Sequence, residues 1–299
     1  MKHAYLIIAH HEFELLVRLV KALDDKRNAI YIHFDKKVDQ LPLLRTADAD
    51  LYILDHRVNV RWGDVSQIEA EIVLFQQALK LGPYAYYHLL SGVDLPIKSQ
   101  DFIHSFFAKH EGKEFIDFYP GDARLEIDKK VRRYHLFPKD FRSAPGLLNL
   151  FRKGLRSVFL RMQYVFGIRR HHQTVFKKGL NWVSVSQEFV LYLLGKKDEI
   201  LKDYQNTFCA DEIFLQTVCW NSPFRNKVFD SPDEGHGCLR MVSWHNNRLV
   251  DWEEKDFPAL MKSEALFARK FNNNNTAFLD NFLNQIASDV KKNNKSNHI

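Results

Sequence analysis

The sequence predicts an α/β fold in which helices cover both faces of a mostly parallel sheet. In the first hundred of its 299 residues, short apolar runs alternate with segments whose apolar residues recur every three or four positions. Alternation of this kind builds parallel strands, because each helix returns the chain to the same end of the sheet. The composition is 45% hydrophobic, with 24 Phe and 11 Tyr, which is enough for a substantial core.

Apolar patterns place the elements of this first part. Four predicted strands are Tyr5–Ala9, Ala29–Phe34, Asp50–Leu54 and Tyr84–Leu90. Two predicted helices between them have apolar faces formed by Leu15, Leu16, Leu19, Val20 and Leu23, and by Ile68, Ile72, Phe75, Ala78 and Leu79. Ligands of parallel sheets bind at the carboxyl ends of the strands. The candidate site residues therefore follow the strands, at Ala9–His11, Asp35, Val58–Asp64 and Ser91–Pro96.

Residues 120–180 lack this alternation and are strongly basic. From Arg124 to Lys178, 15 Lys and Arg are opposed by 3 Asp and Glu, a local balance of 15 − 3 = +12, against +6 for the whole chain. An anionic partner is expected here: a diphosphate, an acidic acceptor, a membrane surface or a nucleic acid. The segment Leu148–Phe166 has the period of an amphipathic helix with a cationic side. We favour a helix docked on its own domain over one that lies on a membrane.

Strand and helix patterns resume after Gly179. The predicted strands are Trp182–Ser186 and Arg240–Trp244, and the predicted helices are Gln187–Leu194, Asp211–Cys219 and Ala277–Val290. We expect one domain over residues 1–272, with the basic insertion at about 120–180 on its acceptor side. A C-terminal helix and a polar tail follow over residues 273–299.

Cysteine usage and missing motifs exclude several classes of protein. Cys209, Cys219 and Cys238 have neither disulfide-framework nor zinc-site spacing, and they fit a reducing compartment. No apolar run reaches the roughly 18 residues of a membrane span, so we expect a cytoplasmic protein, peripheral at the inner face of the membrane if the basic helix meets lipid. The sequence has no GxGxxG, GxxxxGK[ST] or GxSxG, which disfavours dinucleotide, P-loop and α/β-hydrolase functions.

Two neighbouring acids are candidates for acid–base chemistry. Asp211 and Glu212 open a predicted helix after a loop. Acids in a first helical turn usually complement the helix dipole. If this turn faces a cleft, however, a carboxylate here can act as a general base on a hydroxyl.

Candidate metal ligands are poorly arranged. His10 and His11 follow the first strand, and adjacent side chains on an extended segment diverge, so one of them is expected to line the cleft rather than both to bind a metal. Asp48 and Asp50 form an Asp-x-Asp pair, but they precede their strand and so lie at the wrong end for a nucleotide-bound metal. No metal site is predicted.

Six segments of the chain follow one another in a familiar order. They are Tyr31–Lys36 (YIHFDK), Val60–Ala70 (VRWGDVSQIEA), His88–Lys98 (HLLSGVDLPIK), Gly179–Ser186 (GLNWVSVS), Ala210–Thr217 (ADEIFLQT) and Leu266–Asn272 (LFARKFN). Together they resemble the core-2/I-branching β-1,6-N-acetylglucosaminyltransferase family, which also includes protein O-xylosyltransferases. The resemblance implies a GT-A-like fold, an inverting mechanism and a UDP-sugar donor bound without metal or other cofactor. The sequence lacks the anchor and the disulfides of animal Golgi members, so it resembles a microbial relative.

The resemblance also assigns roles to single residues. The catalytic base is the Glu of a Pro-Asp-Glu motif and falls on Glu212, with Ala210 in place of the Pro. Arg240 and Lys270 replace the metal at the diphosphate. The nucleoside and donor pocket is formed by His10, Asp35, Trp62, Gly63, Ser91, Gly92 and Asp94, and the acceptor-side candidates are Arg132, Arg133, Trp182 and Asp211.

The sequence therefore predicts a metal-independent, inverting glycosyltransferase. It would move GlcNAc or xylose from a UDP-sugar to a hydroxyl of a glycan or a lipid-linked glycan, with peripheral contact to anionic membrane as a further partner. Two alternatives stay open: a non-catalytic sugar-nucleotide binder, and a nucleic-acid-binding protein that uses residues 124–178. No known nucleic-acid motif accompanies the charge there, so nucleic acid is not an expected partner.

Overall fold

The structure, a computed structural model, describes residues 1–142, 145–230, 237–246 and 248–296, with side chains as far as residue 287. The strands are β1 (His3–Ala9), β2 (Asn28–Phe34), β3 (Asp50–Ile53), β4 (Tyr86–Ser91), β5 (Asp94–Pro96), β6 (Ser184–Ser186), β7 (Arg240–Val242), β8 (Trp244–His245), β9 (Arg248–Leu249) and β10 (Phe267–Arg269). The helices are α1 (Phe13–Ala22), α2 (Ser66–Leu81), α3 (Gln100–Lys109), α4 (Arg124–Val131), α5 (Leu147–Val165), α6 (Gln187–Gly195), α7 (Lys197–Asp203), α8 (Phe214–Trp220), α9 (Phe257–Lys262) and α10 (Thr276–Ser296).

The central sheet has five strands in the order β3-β2-β1-β4-β6. The first four are parallel and β6 is antiparallel to β4, which confirms the predicted mostly parallel sheet. β1, β2 and β4 end at one edge, because Ala9 pairs with Phe34 and Ile8 pairs with Ser91. The residues that follow these strands therefore share that edge.

Helices pack on both faces of the sheet, as predicted. Along β1, Ala4 and Leu6 belong to a core shared with α2, α6 and α8. Tyr5 and Ile7 point to the opposite face and pack with α1, α3 and α10. Successive side chains of a strand alternate between faces, so a strand that is apolar throughout is buried on both sides. The chain thus has the GT-A-like α/β architecture.

Two predicted elements are divided in the structure. The predicted strand Arg240–Trp244 ends at Val242, and β7 joins a small second sheet in the order β5-β10-β7. The predicted helix Asp211–Cys219 is a 3₁₀ turn over Ala210–Glu212 followed by α8. Ile213, with φ of −130°, separates the two because its backbone is not helical.

Helix α5 confirms the predicted helix, and it docks on its own domain through its polar side rather than its apolar side. The buried residues of α5 are Asn149 and Gln163, whereas the apolar side is exposed. The Gln163 side chain accepts a hydrogen bond from the Tyr134 amide and donates one to the Tyr134 carbonyl, both at 2.8 Å. Backbone groups of the underlying segment need polar partners, so the polar side of the helix docks.

Two other expectations concern the state of the cysteines and the presence of membrane-spanning helices. Cys209, Cys219 and Cys238 are buried free thiols, and burial raises the pKa of each. Among the helices described, none has both the length and the apolar character needed to cross a membrane.

Candidate active site

His10 and Asp35 meet at the edge where β1 and β2 end. The Asp35 amide donates to the Ala9 carbonyl at 3.0 Å, and its carboxylate accepts from the Lys37 amide at 2.9 Å and lies 3.2 Å from Lys37 Nζ. Partial burial and the neighbouring His11 lower the pKa of His10, while Asp35 opposes that shift. The two residues therefore lie together at the carboxyl edge of the sheet, and their place in a donor pocket stays a prediction.

The expectation that His10 and His11 diverge is wrong. Their ring centroids lie 4.1 Å apart, with the planes inclined by 39°. The chain bends here, since Glu12 adopts a φ of 54°, and the extended geometry on which the expectation relied ends with β1. Within the described residues, no three His, Cys, Asp or Glu side chains are grouped to hold a metal ion.

The turn after β4 is held by its own side chains. Asp94, which is buried, accepts hydrogen bonds from the Ser91 amide at 2.9 Å and from Ser91 Oγ at 2.6 Å. A Cβ at Gly92 would lie 3.2 Å from the Cβ of Ala9, so the turn passes close to β1. Ser91, Gly92 and Asp94 thus shape the predicted donor pocket through the backbone.

Two cationic side chains come from the strand that pairs with this turn and from the residue after that strand. In the second sheet Arg269 pairs with Asp94, and its Nε lies 3.6 Å from Asp94 Oδ1. The Arg269 guanidinium also lies over the Trp182 ring, 4.3 Å from its centroid. Lys270 is partly exposed on the wall of a cleft of about 990 Å³, with its Nζ 3.3 Å from Asp251 Oδ1. A diphosphate at Lys270 would replace this carboxylate as its partner.

Arg240 points into the protein. Its guanidinium donates to the Cys238 carbonyl at 2.7 Å and to Ser184 Oγ at 2.8 Å, and it lies 4.3 Å from the centre of the Phe267 ring. Burial lowers the pKa of Arg240 to about 10. The diphosphate role of Arg240 stays a prediction, and the adjacent Arg269, which sequence reasoning missed, is the better exposed guanidinium. The adjacent Arg and Lys of the LFARKFN segment could have identified it.

Glu212 lies between two lysines. Its Oε2 is 3.1 Å from Lys130 Nζ and 3.8 Å from Lys178 Nζ, and both lysines also pair with Glu126, at 2.7 and 2.9 Å. Burial acts to lower the pKa of Lys130, but Glu212 and Glu126 outweigh it and leave that pKa raised. The Glu212 side chain is 43% exposed, so a substrate hydroxyl can reach a carboxylate whose position is fixed.

Asp211 takes the opposite orientation to Glu212. It is half-buried, with Oδ1 enclosed by the protein, and its Oδ2 accepts a hydrogen bond from Gln67 Nε2 at 2.9 Å. Burial and the charge of Glu212 raise the pKa of Asp211 to about 6. Behind it, Glu71 accepts from Asn181 Nδ2 at 2.8 Å, and burial raises its pKa well above the usual value. The sequence analysis did not identify Gln67 and Glu71. They are four residues apart and so lie on one face of α2, and this spacing could have indicated that the two polar side chains belong to one site.

A four-residue segment joins the carboxylate to the cations. The Gly179 amide donates to the Glu212 carbonyl at 3.0 Å, and three residues later Trp182 contacts Arg269. The Cα atoms of Gly179 and Trp182 can be no more than about 11 Å apart. This places Trp182, predicted on the acceptor side, between Glu212 and the donor-side cation.

A family model described as Core-2/I-Branching enzyme matches residues 3–273. The chain belongs to this family. The order of its six segments predicts this membership.

Curated relatives in the family are xylosyltransferases. Xylosyltransferase 1 from Canis lupus familiaris is 23% identical over 301 residues, covering 90% of this chain. Xylosyltransferase 2 from Bos taurus is 24% identical over 300 residues, again 90% of this chain, and xylosyltransferase oxt from Drosophila melanogaster is 25% identical over 278 residues, or 85%. The matched regions span 29%, 31% and 30% of these relatives.

One similar solved structure is the apo form of mouse xyloside xylosyltransferase 1. It covers 91% of this chain and 99% of its own, with 10% sequence identity and a TM-score of 0.33. A TM-score this low establishes no common site.

The predicted acceptor-side arginines hold the basic region together. Arg132 donates to the carbonyls of His171 and Thr174 at 2.9 and 2.8 Å. The buried Arg133 donates to the Gln163 carbonyl at 2.9 Å and pairs with Asp128 at 3.1 Å. Their contact with an acceptor stays a prediction.

Trp62 and Gly63 lie beside the turn that carries Glu212. The Gly63 carbonyl accepts from the Cys209 amide at 2.9 Å, and the Gly63 amide donates to Gln67, the partner of Asp211. Gly63 has a φ of 77°, which favours glycine. The Arg142 guanidinium lies 3.8 Å from the Trp62 ring centre. This pair therefore joins the base side of the site.

Proposed function

We propose that this protein is a glycosyltransferase that moves a sugar from a UDP-sugar to a glycan hydroxyl with inversion, and that Glu212 is its general base. The observation that carries the proposal is the partly exposed Glu212 carboxylate, held by Lys130 and Lys178. In its neighbour Asp211, Oδ1 is buried and Oδ2 is bound to Gln67, so of the two carboxylates that of Glu212 is the more available to a substrate.

In the proposed reaction, Glu212 accepts the proton of the acceptor hydroxyl. The hydroxyl oxygen bonds to the anomeric carbon while the bond from that carbon to UDP breaks, and UDP leaves with the bonding electrons. Attack from the face opposite UDP inverts the configuration. Lys270 and Arg240 are the cations proposed from the family resemblance for the leaving diphosphate. Arg240 is bound to protein groups, and Arg269, next to Lys270, is paired with Asp94. Lys270, with its side chain 37% exposed, is therefore the cation most available to a diphosphate.

We also propose that the transfer reaction proceeds without a metal ion. Asp48 and Asp50 lie at the amino end of β3, where Asp50 pairs with Lys2 Nζ at 2.7 Å. This position supports the assignment of charge neutralisation to Lys and Arg. The names of the curated relatives favour xylose over GlcNAc as the donor sugar. A glycan or a lipid-linked glycan is the proposed acceptor.

A panel of UDP-sugars tests the proposal. Binding of UDP-xylose, UDP-GlcNAc, UDP-glucose and UDP-galactose is measured by calorimetry in EDTA, and UDP release is measured with glycan acceptors. We expect one UDP-sugar to bind and to release UDP only when an acceptor is present. Failure of every UDP-sugar to bind contradicts the donor class, and binding without any turnover favours a non-catalytic sugar-nucleotide binder.

A further inference from the structure

Helix α5 carries an apolar face that no other described part of the chain covers. We call it the docking stripe: Leu147, Phe151, Leu155, Val158, Met162 and Val165. These residues recur at steps of three and four, so they lie along one side of the helix. Leu147 is 87% exposed, Val165 80% and Phe151 63%. A continuous apolar face of this extent marks an interaction site.

The orientation of the docking stripe is fixed by the opposite side of α5. Besides the two bonds between Gln163 and Tyr134, Arg156 Nε donates to the Leu136 carbonyl at 3.0 Å. Arg152 Nη1 pairs with Asp140 Oδ2 at 2.8 Å near the start of the helix. Rotation of α5 to bury the stripe would break all of these contacts and leave polar backbone groups without partners.

The surroundings of the stripe are cationic. Residues 141–187 contain nine Lys and Arg and no Asp or Glu. Lys153 and Arg161 are exposed on α5 itself, and Arg169 follows the helix with its side chain 52% exposed. An apolar face with adjacent basic residues is the composition of a helix that lies in the interface of an anionic bilayer.

We propose that α5 docks on an anionic membrane surface, with the docking stripe among the acyl chains and Arg161, which flanks the stripe, at the lipid phosphates. Charge decides between this partner and a second copy of the chain. Two copies joined through this face would bring together like charges, and residues 141–187 offer no acid to pair with them. A small soluble anion would leave the apolar stripe in water.

The docked helix is connected to the catalytic turn. Arg133, which follows α4, donates to the Gln163 carbonyl of α5 at 2.9 Å, and α4 also carries Lys130, the partner of Glu212. Docking therefore brings the base side of the cleft near the membrane, where a lipid-linked acceptor would lie. The docking does not depend on the proposed function, and it can be tested without a sugar nucleotide.

Vesicle flotation tests the docking. Phosphatidylcholine vesicles, with and without phosphatidylglycerol, are mixed with the full chain at low and high salt. We expect binding only to the anionic vesicles, weakened by salt. Replacement of two exposed stripe residues, Phe151→Ser with Val158→Ser, should lower the partition coefficient about tenfold or more. Arg161→Gln should lower it about fivefold, whereas Lys153→Gln, on the side of α5 away from the stripe, should have a smaller effect.

Leu43→Ser is the matched control, because Leu43 is 75% exposed and lies outside the basic region. It should leave flotation unchanged. All variants alter exposed side chains, so their unfolding temperatures and UDP-sugar binding should match the wild type. Equal flotation with both lipids, or full binding by the stripe variant, contradicts the proposal. A wild-type dimer that the stripe variant converts to a monomer, without vesicle binding, assigns the stripe to self-association instead.

Discussion

Lys130 Nζ lies 3.1 Å from Glu212 Oε2 and 2.7 Å from Glu126 Oε1. One lysine on α4 thus joins the proposed base to a second acid on its own helix, and Lys178 closes the group from the other side. The arrangement fixes the Glu212 carboxylate without burying it, which is the geometry that a general base needs.

Loss of Lys130 should misplace the base. We expect Lys130→Ala to lower kcat by roughly 10–100-fold with a smaller change in KM, because positioning affects the transition state more than donor binding. Steady-state kinetics with the UDP-sugar identified in the panel measures both. Lys129→Ala, which removes the same charge from an exposed neighbour, is the control and should have little effect. Equal losses in the two variants would contradict a positioning role for Lys130.

Lys270 and metal removal test how the leaving group is neutralised. Lys270→Ala should lower kcat/KM by roughly 2–4 kcal/mol, comparable to the loss of one transition-state donor. The exposed Lys262→Ala is the matched control. Wild-type activity should persist in excess EDTA, and Mn²⁺ should not rescue Lys270→Ala. Activity that EDTA abolishes and Mn²⁺ restores would refute the metal-independent mechanism.

Two glycines should respond oppositely to alanine. A Cβ at Gly179 would lie 2.0 Å from the Asp117 carbonyl oxygen, so Gly179→Ala must displace the segment that joins Glu212 to Arg269. Gly154, in the middle of α5, has nothing within 4 Å of its Cβ position. Gly154→Ala should raise stability by about 0.5–1 kcal/mol, and Gly179→Ala should lower both stability and activity. Thermal unfolding compares them, and an unchanged Gly179→Ala would disprove the close approach.

Acid should destabilise the protein because five buried histidines stay neutral when folded. Burial is the main cause that lowers their pKa values: His3 to about 2, His33, His104 and His135 to about 4, and His88 well below its usual value. Burial also raises the pKa of three carboxyls, Glu71 well above its usual value, Glu114 to about 7 and Asp211 to about 6. Between about pH 6 and pH 5 the unfolded chain holds about five protons on these groups, all on the histidines, and the folded chain holds about three, all on the carboxyls.

The net excess is 5 − 3 = 2 protons on the unfolded chain, so the free energy of unfolding should fall by about 3 kcal/mol per pH unit of acidification. Urea unfolding at several pH values measures this slope. His104→Gln keeps a hydrogen-bond donor for the Asn28 side chain and should reduce the proton excess of the unfolded chain by about one. His172→Gln, at an exposed position, should leave this excess unchanged. Stability that is flat or rises on acidification would contradict neutral buried histidines.

Much of the fold follows from local pattern. β1, β2 and β4 are continuous apolar runs, because both faces of these strands are buried, and this signal placed Asp35 and Ser91 at the edge where the strands end. The turn at Ala210–Glu212 was located through the family motif. The break at Ile213 has no such signal, since its cause is a backbone angle.

The direction in which side chains point could not be predicted from the sequence. Periodicity shows that α5 has an apolar side, but the polar groups around Tyr134 decide which side docks. Arg240 begins a strand as expected, yet its guanidinium points inward to Cys238 and Ser184. Such directions depend on contacts between segments that are distant in sequence, which local patterns do not contain.

Turnover by Glu212→Gln tests the central claim most directly. The amide keeps the shape of the side chain but cannot accept the proton, so kcat should fall by about 10²–10⁴-fold while UDP-sugar binding persists. Asp211→Asn, at the neighbouring acid, can still accept from Gln67 and should stay within about tenfold of the wild type. Near-normal turnover in Glu212→Gln, or an equal loss in Asp211→Asn, would contradict the assignment of Glu212 as the base.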